Sequence, residues 1–141
     1  MIDTLKKYIM GGDFEKARII CENKNSETLE HDMNVIAYDT GSVATYFFVL
    51  DLLFRKEEAQ LHYIACSLLI NPLVDIPGAY YIAYRHILKA LQLDSNNLKY
   101  KENLLLFYHI PDKLLGREEA VEIAHSILKY NPDNKAAKSI V

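Results

Sequence analysis

The sequence predicts an all-α protein, and three observations carry that prediction. Apolar residues recur at i, i+3 and i+4 in successive segments. Gly and Pro are sparse and fall between those segments, and no stretch shows the period-two alternation of β-branched residues that marks a sheet. A chain of 141 residues reads as one domain, 1–141, long enough to bury roughly 68–70% of its unfolded surface without disulfide staples. Half of its residues are apolar and a quarter are charged, the balance of a globular chain.

The elements follow in order. Ile2–Met10 carries Leu5, Tyr8 and Ile9 on one side before Gly11-Gly12 stops it. Asp13 is placed to cap a second helix whose apolar face is Phe14, Ala17, Ile20 and Cys21. Ser26–Tyr38 is a third, with Leu29, Met33, Ile36 and Ala37 inward. On a fourth, Val43, Phe47, Leu50 and Phe54 form a 4-3-4 stripe that reads as the buried side of a core helix. Val43–Phe54 contains Asp51 and falls well short of the about 20 apolar residues of a membrane span. Ala59, Tyr63, Cys66 and Ile70 repeat the stripe until Asn71-Pro72 ends it. After a loop through Asp75-Ile76-Pro77-Gly78, the set Tyr80, Ala83, Ile87 and Ala90 marks the next helix. Asn97–His109, Arg117–Tyr130 and a short tail helix after Asp133 complete a series of about eight.

Two segments align at an offset of 37 residues: Ala83, Ile87, Ala90 and LDSNN at 93–97 against Ala120, Ala124, Ile127 and YNPDN at 130–134. Small residues there let a neighbouring helix approach closely, and the Asn/Asp/Pro turn reverses the chain. An earlier GDFEKA at 12–17 has the same character. On these residues the chain resembles the tetratricopeptide-type helical hairpins, with Ala120, Ala124 and Pro132 at that family's spacing. The resemblance covers about residues 79–141 and extends in part to 1–25. It departs from the pattern where Ser95 replaces the usual Pro and where Pro111 interrupts a helix. It implies a tetratricopeptide-like array of antiparallel helices and says nothing of chemistry.

The residue types that carry catalysis or metal binding do not assemble. His62 and Cys66 are one helical turn apart, but two further ligands for zinc are missing and Cys66 lies on an apolar stripe. Arg85 and His86, with Lys89, suggest a helical nuclease only if Arg and His share a face, and adjacent residues point apart. No glycine loop cradles a phosphate, and no strand–turn–helix presents a nucleophile. No enzyme, metal or cofactor is expected. A net charge of −3 opposes nucleic-acid binding. Cys21 and Cys66, each within an apolar pattern, read as reduced core thiols of a cytoplasmic protein, and the early charges of MIDTLKKYIMGGDFEKA exclude a signal peptide.

Charge is unevenly placed. Residues 1–75 hold twelve acids and seven bases, whereas 76–141 hold seven acids and nine bases. Within the first part, 25–54 has five acids and no Lys or Arg. An acidic, aromatic surface of this kind suits a basic protein partner, through steered encounter and aromatic anchors. The expected contacts are Glu30, Asp32, Tyr38, Asp39 and Tyr46, with Asp51 set aside on a helix that reads as buried. The bland readings stand beside it: Asp51 pairs with Arg55 one turn on, and Asp39 belongs to a turn with Thr40-Gly41-Ser42.

In size, and in the blocks IAYDTGSVATYFFVLDLLF and GAYYIAYRHILKALQLDSNN, the chain resembles small bacterial immunity proteins that neutralise polymorphic toxins. That resemblance implies an inhibitor that occludes the active site of one basic, nuclease-type toxin domain. The alternative is an adaptor or chaperone-like module gripping an extended peptide through Tyr81, Tyr84, Arg85, Asn96, Asn97 and Lys99. Self-association through the apolar middle helix stays open, and the sequence leaves the oligomeric state undetermined.

Overall fold

The computed structural model describes residues 1–141 and contains nine α-helices and no strand. They are α1 (Ile2–Met10), α2 (Phe14–Cys21), α3 (Ser26–Thr40), α4 (Ala44–Arg55), α5 (Ala59–Ile70), α6 (Ala79–Leu93), α7 (Leu98–His109), α8 (Arg117–Tyr130) and α9 (Lys135–Lys138). Side chains cap four of them at the N-terminus: Asp13 for α2, Asn25 for α3, Asn97 for α7 and Asn134 for α9. Each accepts a hydrogen bond from a backbone N–H that the helix cannot satisfy itself. Gly41, at φ +63°, closes α3 in the left-handed region, where a β-carbon would be strained.

The hub is α5. Eight of its residues, from Leu61 to Leu69, are buried, and it packs against α3, α4 and α6. A helix apolar on every side is covered on every side. α1 lies against α2, α3 and α4, while α7 joins α6 to α8 and α9. The small-residue pattern seen at the offset of 37 behaves alike in both copies. Ala83, Ile87 and Ala90 on α6, and Ala120, Ala124 and Ile127 on α8, are all fully buried. In each copy the last Asn of the turn, Asn97 or Asn134, caps the next helix.

The expectation for α4 is overturned. Its core side is Thr45, Phe48 and Val49, with Phe48 edge-on to Phe14 of α2. The stripe read as buried faces outward: Phe47 is 53% exposed and Phe54 is 93% exposed, with Leu50 and Val43 half-covered. α4 is apolar around most of its circumference, so its periodicity has two solutions. The Thr45 hydroxyl is buried and donates toward the Ser42 carbonyl, 3.4 Å away. No helix is long and apolar enough to cross a membrane.

Candidate functional site

The outward face of α4 runs into that of α6 through a chain of polar side chains. Tyr46 of α4 projects toward α6, and its hydroxyl lies 2.9 Å from Nε2 of His86. His86 Nδ1 lies 3.0 Å from Nδ1 of His62, a buried residue of the hub α5. His62 Nε2 lies 2.7 Å from the carboxylate of Glu57, in the turn between α4 and α5. The donors and acceptors can be assigned by elimination. A carboxylate only accepts, so His62 donates from Nε2. With both rings neutral, His62 Nδ1 then accepts from His86 Nδ1–H, and His86 Nε2 accepts the Tyr46 O–H. All four imidazole nitrogens and the Tyr46 hydroxyl have a partner within the relay. Burial, with His62 beside it, holds His86 neutral down to about pH 4. Burial also raises the Tyr46 phenol, and the bond from His62 lowers the Glu57 carboxyl.

Around the relay lies an aromatic surface. Phe47 is next to Tyr46, with ring centroids 6.1 Å apart. One turn before His86 stands Ile82, exposed like its neighbour Tyr81. Tyr81, Ile82, Tyr84, Arg85, His86 and Leu114 line an open groove of about 630 Å³. Arg85 and Lys89, one turn apart on the outer side of α6, enter no ion pair. After the His62 bond, Lys89 helps to lower the Glu57 carboxyl, and burial, together with Glu119, raises the Tyr84 phenol.

The five residues expected to contact a partner do not form one patch. Asp32 is buried and pairs with Lys24 at 2.8 Å. Asp39 pairs with Lys6, and Glu30 with Lys99 at 3.3 Å. Asp51, the remaining carboxylate on α4, is held by Arg18 and Arg55, each at 3.4 Å. The base-free segment therefore draws its counter-charges from elsewhere in the chain. Tyr38 is 65% exposed and shares a shallow pocket with Glu30, while Tyr46 belongs to the relay on another face. Of the peptide-gripping set, Tyr81, Tyr84 and Arg85 come together, whereas Asn97 and Lys99 line a separate pocket with Tyr63 and Glu30.

His62 and Cys66 do not converge, because His62 is spent on the relay while the Cys66 thiol faces Asn103. Burial pushes Cys66 up to about 12 and Cys21 up to about 11, so both thiols stay protonated and unreactive. The histidine pair is 24 residues apart in sequence, and only the packing of α5 on α6 brings it together. No protein-family model, curated protein or solved structure gives a significant match to the chain.

Proposed function

We propose that this chain is a protein-binding module of the immunity-protein kind, which docks through the α4–α6 face and inhibits a toxin domain by covering its working surface. The observation that carries the reading is the outward set Phe47, Phe54, Tyr81 and Ile82 on two helices joined by the relay. Large side chains left in water on a well-packed molecule favour association, and aromatic anchors dominate binding energy. The relay holds Tyr46 and His86 in fixed positions, which lowers the ordering cost of docking.

Charge pairing changes the partner expected from composition. Four of the five carboxylates of the base-free segment are matched by Lys6, Arg18, Lys24, Arg55 and Lys99, while Arg85 and Lys89 enter no ion pair. The partner surface that fits is therefore apolar at its centre and carries carboxylates opposite α6. A non-enzymatic role is supported by His86, whose two ring nitrogens are both engaged, and by thiols that stay protonated. The matched burial and capping of α6–α7 and α8–α9 support a tetratricopeptide-like arrangement. The two free, buried thiols support a reducing setting such as the cytoplasm.

The test is neutralisation of a toxin domain, to be sought in the reading frame immediately upstream of this chain. Co-expression should restore growth with the parent and with Asp39→Lys, and fail with a folded Phe47→Glu variant. Protection that survives Phe47→Glu and is lost in Asp39→Lys would return the site to the acidic segment. A second reading, an adaptor for an extended peptide, is favoured by the convergence of Tyr81, Tyr84 and Arg85 on one groove. A partner that still binds as a short unfolded peptide selects that reading.

A further inference from the structure

Away from the α4–α6 face, α2, the turn before α3, the end of α4 and the start of α5 surround a cleft of about 400 Å³. Four cations line it: Arg18, Lys24, Arg55 and Lys56. Their partners are unequal. Lys24 has Asp32 at 2.8 Å and Lys56 has Glu58 at 3.4 Å. The two arginines, by contrast, share a single oxygen, Oδ2 of Asp51, each through Nε at 3.4 Å. Nε of Arg18 is buried without a well-formed hydrogen bond. The terminal nitrogens of both guanidinium groups bond to no protein atom. Two arginine forks left open in one cleft are the geometry that receives an oxyanion with paired N–H donors.

Other features of the cleft agree. Glu58 stands at the N-cap of α5 but its side chain does not cap it; its carbonyl accepts from Leu61 N–H at 3.1 Å, and Gln60 lines that end of the cleft. Ser26 adds a hydroxyl, and Leu29, Leu52 and Leu61 supply an apolar wall. Of the acids, Glu22 and Glu58 line the cleft, and Asp32 and Asp51 pair with three of its four cations from behind the lining.

We infer that this cleft binds a phosphomonoester of a small organic molecule, with the phosphate on Arg18 and Arg55 and the organic body against the leucines. The site is independent of the docking face and does not rest on the function proposed above. Adenosine 5′-monophosphate is a suitable probe, with adenosine and inorganic phosphate as separate arms. The monophosphate should raise the melting temperature by several degrees at millimolar concentration and shift the amide resonances of Ser26 and Gln60. Inorganic phosphate should give a smaller shift at the same amides, and adenosine none. Arg55→Gln, at a partly exposed position, should remove the response without unfolding the chain, whereas Lys7→Gln should leave it intact. The inference is overturned if no arm moves either observable, if adenosine alone reproduces the effect, or if Arg55→Gln responds like the parent.

Discussion

Tyr46, His86, His62 and Glu57 form a line in which each side chain completes the next, so removing a middle member strands its neighbours. His86→Phe keeps an aromatic ring against Tyr46 but leaves the phenol and His62 Nδ1 without partners. A loss of about 2–4 kcal/mol is expected in urea unfolding at pH 7. The same residue sets a pH dependence. His86 is held at about 4, below the ~6.5 of a free imidazole. The unfolded chain therefore binds that proton more readily, and acid favours unfolding. The stabilisation is full above about pH 6.5 and is lost as pH falls toward 4, a change on the order of 3 kcal/mol. Unfolding titrations across that window should be visibly flatter for His86→Phe; equal slopes in variant and parent would remove His86 as the cause. The carboxylates separate in the same manner. Asp32→Asn leaves the nearly buried Lys24 without its counter-charge and should cost roughly 3–5 kcal/mol. Asp39→Asn breaks an exposed pair with Lys6 and should cost less than about 1 kcal/mol. Matching melting temperatures for the two variants would contradict these placements.

Among the elements, the ones with clear punctuation were legible in the sequence. The residues Ile2–Met10, Ala59–Ile70 and Arg117–Tyr130 are helices with those limits, because Gly11-Gly12, Asn71-Pro72 and the Tyr130-Asn131 turn leave no other place to stop. The inward faces of α6 and α8 were legible too, since small residues at close contacts admit few alternatives. Ala83→Glu and Ala120→Glu should each cost more than about 4 kcal/mol, by placing an unpaired charge where no space exists. α4 was not legible in this way. With Phe47, Phe48, Val49, Leu50, Leu52, Leu53 and Phe54 nearly consecutive, both faces satisfy a helical period, and only the position of α5 chooses between them. Truncation separates the faces: Phe48→Ala should cost about 3–5 kcal/mol, while Phe54→Ser should change stability by less than about 0.5 kcal/mol. Thermal unfolding of both variants checks this, and a reversed order would restore the expected stripe to the core.

For the whole molecule, the lesson concerns charge. Composition correctly shows a segment, 25–54, with five acids and no base; Asp51–Arg55 is the local pair the spacing suggests, but others that neutralise the segment span long sequence separations. Lys6 reaches Asp39 and Lys99 reaches Glu30, across 33 and 69 positions. No local pattern encodes such pairs, so the candidate site moves from the acids to the aromatic side chains that share their segment. Tyr46 is the one expected contact that also belongs to the α4–α6 face; Tyr38 is exposed elsewhere, and the carboxylates are occupied. The measurement that bears most directly on this account is site-specific photo-crosslinking in the native host, with the reactive residue placed in turn at Phe47, Ile82 and Asp39. Docking through α4 and α6 predicts one stoichiometric adduct with the same foreign polypeptide from positions 47 and 82, and none from 39. An adduct from position 39 alone, or adducts only between two copies of this chain, would contradict it.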